Sequence, residues 1–272
     1  MRLYAFAIYL FLYAPIAIIA LFSFSAGRSA VQMQGFSTEW YGKALSNTFV
    51  TEALQTSATV AFTSAVMASV FGTLAALGLQ SVRGRVRTFF DALIYVAVMV
   101  PGIVIGIATL ITLVTVFAWI NPLLAAAWPF GEAPRLKMGY TSLIAAHTLF
   151  SMALVILILR ARLAGMDRSL IEASSDLYAG PWGTFRQVTL PLLAPAILAG
   201  FLLSFTFSFD DFIIAFFVAG SETTLPIYIF SSIRRGVTPE INAIGTMVLV
   251  VSLTLLIVAQ LTLRQGGRKA AG

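Results

Sequence analysis

The chain has 272 residues, of which 59% are hydrophobic and only 10% are charged, and its mean hydropathy is +0.94. Soluble domains carry roughly 25% charged residues, so this composition excludes a water-soluble globular protein and predicts an integral membrane protein. The length suits one membrane domain, and we interpret the net charge of +6 as a topology signal rather than as a sign of nucleic-acid binding.

The content of cysteine and histidine narrows the chemistry further. The chain has no cysteine and a single histidine, His147. These counts exclude disulfides and thiolate metal sites, and they leave no ordinary histidine metal cluster or Ser-His catalytic pair. We therefore expect a protein that is not an enzyme, with no catalytic residue and no metal site.

Apolar stretches long enough to cross a bilayer recur along the whole chain, since about 20 residues are needed for the ~30 Å hydrocarbon layer. Six stretches qualify: 4–24, 56–80, 90–117, 141–163, 193–219 and 241–263. The first is longer than the apolar region of a signal peptide, so we expect it to be an uncleaved helix. The sequence predicts an all-α protein with about six transmembrane helices, forming a single permease-like domain over 1–272.

Basic residues in alternate connections indicate the orientation of these helices. With a cytoplasmic N-terminus, 11 of the 17 lysines and arginines fall on the inside. They are Arg2, Arg83, Arg85, Arg87, Arg160, Arg162, Arg168, Arg186, Arg264, Arg268 and Lys269. We therefore expect both termini to be cytoplasmic.

Two features inside the predicted spans concern helix packing. Small residues recur every four positions in the second span, at Ser64, Ala68, Gly72 and Ala76, and this pattern favours close approach of another helix. Pro101, in the third span, frees backbone groups that must be satisfied inside protein or beside water. A kink that lines a pathway and simple helix packing both explain that proline.

The connection between the fourth and fifth spans is the largest one on the predicted cytoplasmic side. Ser169-x-x-Glu172 has the capping-box pattern, and Gly180-Pro181 ends one short helix and begins another. Trp182 and Phe185 give the second helix an apolar side. Such helices suit either a docking surface for a soluble partner or a position in the lipid interface.

The stretch from Glu172 to Pro191 resembles the EAA loop of binding-protein-dependent ABC importer permeases. Glu172, Ala173, Val188, Leu190 and Pro191 match that motif, whereas Ser174 replaces its usual third-position alanine and Tyr178 its glycine. These two departures leave the position of the turn between the helices open.

The resemblance implies an ATPase-docking loop over 165–191, because the EAA loop of that family docks into a cleft of the ATPase subunit. The residues to which it gives this role are Glu172, Ala173, Tyr178, Gly180, Trp182, Phe185, Leu190 and Pro191. It also implies two ATPase subunits that bind ATP and Mg, a second, paralogous permease subunit and an extracytoplasmic solute-binding protein. The chain itself would then hold no cofactor.

A second resemblance concerns the substrate. The stretches 204–220, 224–246 and 100–110 are similar to spermidine/putrescine permeases of the same family, and so is Glu39-Trp40-Tyr41. This resemblance implies a small cationic solute, most simply a polyamine, and location as a multi-pass protein in a prokaryotic plasma (inner) membrane.

Asp210 and Asp211 interrupt the fifth span, where a carboxylate at the bilayer centre costs about 2.5–3.5 kcal/mol or more. We interpret the pair as part of the substrate pathway for a cation; the alternative is an internal ion pair with Arg234 or Arg235. For His147, a hydrogen bond to a neighbouring helix is favoured over a proton relay, and it is not proposed as a site.

The sequence therefore predicts a permease that works by alternating access with ATP hydrolysed on a partner, since no G-x-x-x-x-G-K-[ST] phosphate loop occurs in the chain. Three alternatives are a secondary transporter driven by an ion gradient, an ABC permease for a different small solute, and a membrane enzyme. The first would show inverted repeats, which we do not find. The last would need a catalytic constellation that the composition does not offer.

Overall fold

The computed structural model describes residues 2–30, 32–167 and 169–269. The described residues form α-helices and one π-helical turn, and the only β-type pairing among them is an isolated bridge between Ser25 and Phe36. The helices are α1 (Arg2–Phe22), α2 (Glu39–Ser46), α3 (Thr48–Ser81), α4 (Gly84–Met99), α5 (Gly102–Ala127), α6 (Tyr140–Ala164), α7 (Ser169–Asp176), α8 (Pro181–Thr184), the π-helix (Phe185–Thr189), α9 (Leu190–Asp210), α10 (Ile213–Val218), α11 (Leu225–Arg235) and α12 (Pro239–Lys269). The prediction of an all-α fold is confirmed.

Among the described residues, five helical stretches are long and apolar enough to cross a membrane. They are Tyr4–Phe22, Thr48–Ser81, Gly102–Ala127, Tyr140–Ala164 and Pro181–Asp210. The sixth predicted span, 241–263, lies within α12. The count of six spans stays a prediction.

The third predicted span, 90–117, is wrong as one continuous helix. Val100 is extended, with φ −69° and ψ 134°, and it separates α4 from α5. Pro101 causes the break because its ring disfavours helical geometry at the preceding residue. The helix then restarts at Gly102 and continues to Ala127, ten residues beyond the predicted end.

The chain divides into two compact units, residues 1–56 with 223–254 and residues 57–222 with 255–272. In the first unit, the amide of Asn47 donates hydrogen bonds to Glu240 Oε1 at 2.8 Å and to the Tyr228 hydroxyl at 3.3 Å. Asn242 donates another to the carbonyl of Ala30 at 3.2 Å. Amide side chains therefore tie segments that are far apart in the sequence.

In the second unit, α6 packs against α9 and carries much of the apolar core. The predicted small-residue seam of α3 is buried there, with Ser64 and Ala68 at 0% exposure and Ala76 at 1%. A Cβ at Gly72 would lie 2.8 Å from Val155 Cγ1 of α6, which is too close for any larger residue. The seam is confirmed as a packing surface.

Candidate functional site

The 165–191 segment begins at a capped helix terminus. Asp167 Oδ1 accepts a hydrogen bond from the backbone N–H of Ser169 at 2.9 Å. This bond, and a second from the Ser169 hydroxyl, lower the pKa of the Asp167 carboxyl below its usual value. Ser169 is already helical, so Asp167 performs the capping that the pattern Ser169-x-x-Glu172 assigned to the serine, and the capping-box prediction is wrong.

The turn after α7 lies at Tyr178, which is the one non-glycine residue with positive φ, +57°, among the described residues. The N–H of Tyr178 donates to the carbonyl of Ser175 at 2.9 Å, and that of Ala179 donates to Ser174 at 3.1 Å. These two bonds form a Schellman motif, in which glycine usually takes the left-handed position. The turn therefore lies where the EAA motif has its glycine, and Gly180 instead precedes α8 in an extended conformation.

The other departure from the motif has a structural partner. The hydroxyl of Ser174 on α7 hydrogen-bonds to the hydroxyl of Thr184 at the end of α8, at 2.9 Å. Thr184 is 9% exposed, so this bond satisfies a mostly buried polar atom. An alanine at 174 would lack the bond, and the serine thus joins the two short helices.

The outer surface of the segment presents apolar and acidic side chains to solvent. Glu172 and Ala173 are exposed on α7, and the turn residues Leu177 and Tyr178 are 82% and 97% exposed. Trp182 is 71% exposed, and its ring centroid lies 5.4 Å from that of the half-buried Phe185. Apolar side chains this exposed suit either a docking surface or a position in the lipid interface.

The last two predicted docking residues belong to α9 rather than to a connecting loop. Leu190 and Pro191 form its first turn, and the N–H of Leu190 donates to the carbonyl of Phe185 in the π-helix. From Pro181 onward, α8 and the π-helix therefore continue without a break into α9, which is long and apolar enough to span a membrane.

The fifth predicted span, 193–219, is also interrupted. Asp210 ends α9, Asp211 is extended with ψ 120°, and α10 begins at Ile213. Asp211 Oδ2 accepts a hydrogen bond from the N–H of Ala215 at 2.8 Å. A carboxylate at the start of a helix satisfies donors that have no partner within the helix. Asp211 thus holds the break by capping α10.

A buried polar chain leads to the same break. Ser64 Oγ lies 3.1 Å from Ser208 Oγ, which lies 2.6 Å from His147 Nδ1. On the other side of the ring, His147 Nε2 lies 3.5 Å from Asp211 Oδ2. His147 is 2% exposed, and the hydrogen bond expected between it and a neighbouring helix is confirmed. The ionisable neighbour Asp211 was missed, although a histidine and a carboxylate in two apolar spans were a signal for a pair.

The two neighbouring carboxylates therefore differ in their contacts. Asp211 is 23% exposed, caps α10 and faces His147, so its observed partner is His147 and not Arg234 or Arg235, which the alternative interpretation named. Asp210 is exposed and makes no hydrogen bond or ion pair with the described residues. Of the two carboxylates, Asp210 is the more exposed.

Comparisons with known proteins cover nearly the whole chain. Residues 68–265 match the family "Binding-protein-dependent transport system inner membrane component". The chain is 36% identical to the spermidine/putrescine transport system permease protein PotC of Escherichia coli (strain K12), over 95% of this chain and 91% of that protein. It is 38% identical to the putrescine transport system permease protein PotI of the same organism, over 88% and 82%.

Solved structures with the same fold are more distant in sequence. A chain of a bacterial ABC transporter involved in the import of the acidic polysaccharide alginate superposes with a TM-score of 0.70 at 13% identity, covering 98% of this chain and 94% of that one. A chain of the MetNI methionine ABC transporter superposes with a TM-score of 0.59 at 14% identity, covering 79% and 95%. At these identities the likeness shows the fold alone.

Proposed function

The chain belongs to the family of binding-protein-dependent transport system inner membrane components, and we propose that it is the permease subunit of an ATP-driven polyamine importer. One observation carries the substrate class: 36% identity over 95% of the chain to a spermidine/putrescine permease. The permease would move its solute by alternating access, as part of a complex whose ATP is hydrolysed on other subunits. Family membership also removes the ion-gradient-driven alternative.

Asp210 is the residue that we propose meets the solute. Its exposed carboxylate has no partner among the described residues, and a carboxylate in an apolar span is a functional site by default. An ammonium group that sheds water on entering a membrane protein needs an opposite charge nearby. Asp211 has the supporting role, because it fixes the helix break that ends α9 beside Asp210.

The 165–191 segment is the surface that we propose docks an ATPase subunit. Its exposed Glu172 and Trp182 offer a charge and an aromatic anchor, the combination on which protein interfaces depend. One such segment serves one ATPase, so a pair of ATPases calls for a second permease subunit. An extracytoplasmic solute-binding protein would deliver the polyamine, and ATP and Mg would be held by the ATPases.

The same proposal sets the orientation. The 165–191 segment must face the cytoplasm to reach an ATPase. The basic residues of the connections favour cytoplasmic termini. At the C-terminus, residues 270–272 lie outside the described part of the chain. The connection 221–240, with α11, is then extracytoplasmic. Because the chain has no cysteine, cysteines placed singly at Ala179 and Ser221 should react with an impermeant reagent from opposite sides of the membrane. Labelling from the same side would contradict this orientation.

Uptake of labelled polyamine tests the function directly. The chain should be purified with its co-purifying subunits, reconstituted in vesicles, and supplied with binding protein, ATP and labelled putrescine or spermidine. We expect ATP-dependent uptake, and we expect Asp210→Asn to reduce it on the order of tenfold by removing the charge that faces the cation. The matched control Glu132→Gln removes an exposed carboxylate elsewhere and should leave uptake unchanged.

Two outcomes would contradict the proposal. Without ATP-dependent uptake of either polyamine by the assembled complex, the substrate class is wrong. Normal uptake by both Asp210→Asn and Asp211→Asn, at wild-type membrane levels, would show that neither carboxylate lies on the pathway.

A further inference from the structure

A cleft of about 840 Å³ lies in the second unit, beside the 165–191 segment. Its walls come from the last turns of α3 and α6, from the start of α4 and from the inner side of α7, α8 and the π-helix. The exposed docking residues Glu172 and Trp182 do not line it. The cleft therefore lies on the inner side of the segment, and of the predicted docking residues Phe185 belongs to its lining.

The charge inside this cleft is positive. Among the described residues that line it, the only charged side chains are Arg87 of α4 and Arg160 of α6. Both contact one carboxylate, Asp91: Arg160 Nη1 is bound to Asp91 Oδ1, and Arg87 Nε lies 3.8 Å from Asp91 Oδ2. One carboxylate cannot neutralise two guanidinium groups, and the looser partner, Arg87, is 49% exposed. Its N–H donors remain open to an anion.

The start of α4 adds to this positive charge. Arg83 precedes the helix, Arg85 and Arg87 lie in its first turn, and no acidic residue accompanies them there. Basic residues at a helix N-terminus are unfavourable because that end already carries partial positive charge. The arrangement becomes favourable when an anion lies nearby.

The remaining walls of the cleft combine apolar side chains with the polar residues Gln80, Ser175, Thr184 and Thr189. Leu77 and Leu79 of α3, Leu163 of α6 and Met166 line it beside the arginines. On α4 itself, Phe89 and Leu93 are 60% and 48% exposed. A hydrated inorganic anion gains nothing from the leucines and the methionine, whereas a phospholipid has both a phosphate for arginine and acyl chains for leucine.

We propose that this cleft binds the phosphate headgroup of an anionic phospholipid, with Arg87 as its principal ligand. The proposal rests on the proposed function, which puts this end of α3, α4 and α6 at the cytoplasmic headgroup level. Arginine presents a planar fork that matches phosphate oxygens, and basic pockets between transmembrane helices on the cytoplasmic side bind acidic headgroups. The lipid lies between the 165–191 segment and the helices, so it stabilises the segment that contacts the ATPase.

Lipid binding to the assembled transporter tests this site. The detergent-purified complex should be titrated with dioleoyl-phosphatidylglycerol or dioleoyl-phosphatidylcholine, and bound lipid counted by native mass spectrometry. We expect phosphatidylglycerol to bind more tightly, and Arg87→Gln to weaken its binding about fivefold. Arg87→Lys retains the charge but not the planar fork, and should retain only part of the preference. The matched control Arg85→Gln removes the same charge from the same helix turn but outside the cleft, and should leave binding unchanged.

Each other outcome overturns the inference. Equal binding of the two lipids to the wild-type complex excludes an anionic lipid site without any variant. If Arg85→Gln and Arg87→Gln weaken phosphatidylglycerol binding equally, the lipid is held by diffuse electrostatic attraction and not by the cleft. If millimolar inorganic phosphate displaces the lipid, the site is one for free phosphate. This test is independent of the proposed transport function. If the complex binds phosphatidylglycerol through Arg87 but takes up no polyamine, the proposed substrate is wrong and the lipid site stands.

Discussion

The break between α9 and α10 and the 165–191 segment both interrupt helices, but in opposite ways. At the break, one of two carboxylates in an apolar stretch has partners within the chain, since Asp211 caps α10 and faces His147. In the segment, apolar side chains lie in solvent, with Leu177 82% and Trp182 71% exposed. Contacts within the chain therefore satisfy Asp211 at the break, whereas the apolar side chains on the outer surface of the segment remain exposed.

The largest expected effect tests that open surface. Glu172→Lys should reduce ATP-dependent uptake and the coupled ATPase activity on the order of tenfold or more, because it places a repelling charge where we propose an ATPase docks. Uptake and ATP hydrolysis by reconstituted complexes measure both effects.

The control for this prediction is Glu132→Lys, which makes the same charge reversal on an exposed connection between α5 and α6. It should leave both activities near the wild-type level. Normal coupling in Glu172→Lys would show that the segment has no docking role and would remove one side of the comparison.

The next effect tests the internal partners of the break. His147→Leu should lower the free energy of unfolding by about 1–3 kcal/mol, because Ser208 and Asp211 lose their buried neighbour. Thr148→Val is the matched control: Thr148 is buried on the same helix, and its hydroxyl has no hydrogen-bond partner among the described residues. Thermal unfolding in detergent measures both variants, and equal losses would mean that the polar chain contributes no specific stability.

A smaller effect tests whether the segment also has internal order. Ser174→Ala should speed hydrogen exchange of α7 amides about fivefold, the equivalent of one hydrogen bond worth ~1 kcal/mol. Thr184→Val removes the same bond from the other side. The double variant should exchange no faster than either single variant, and additive effects would mean that the two hydroxyls are not coupled.

The smallest effect concerns the turn. Tyr178→Gly should slow exchange in α7 slightly, by less than the equivalent of ~1 kcal/mol, because glycine relieves the left-handed conformation but loses more chain entropy on folding. Tyr178→Val should speed exchange, since a β-branched residue fits a positive φ worst. If glycine proves worse than valine, the turn is not left-handed at Tyr178.

Sequence patterns located most helices because span length and hydropathy are local properties. They failed at two helix breaks for different reasons. Pro101 was visible, but whether a proline kinks a helix or ends it depends on the partners available to the freed backbone groups. The helix breaks after Asp210 because Asp211 caps α10. This capping competes with continuation of α9, and the surrounding contacts decide which of the two conformations is more stable.

The resemblance to the EAA loop drew attention to the 165–191 segment, but the sequence did not place its turn. Tyr178 is a poor residue for a left-handed position, and Gly180 two residues later is a good one. The structure nevertheless puts the turn at Tyr178, where two backbone hydrogen bonds and the Ser174 to Thr184 bond fix the angle between the helices. These contacts together outweigh the preference of glycine over tyrosine for a left-handed conformation.

By itself, the sequence determined that this is an apolar helical protein, that Glu172 and Trp182 lie in a polar connection, and that carboxylates occur in the fifth span. Only the tertiary structure decided that Asp211 faces His147 and that Asp210 remains open. The physical reason is distance along the chain. Composition and periodicity act over a few turns of helix, whereas His147 and Asp211 meet only because α6 packs against α9, and that packing depends on the shapes of many side chains at once.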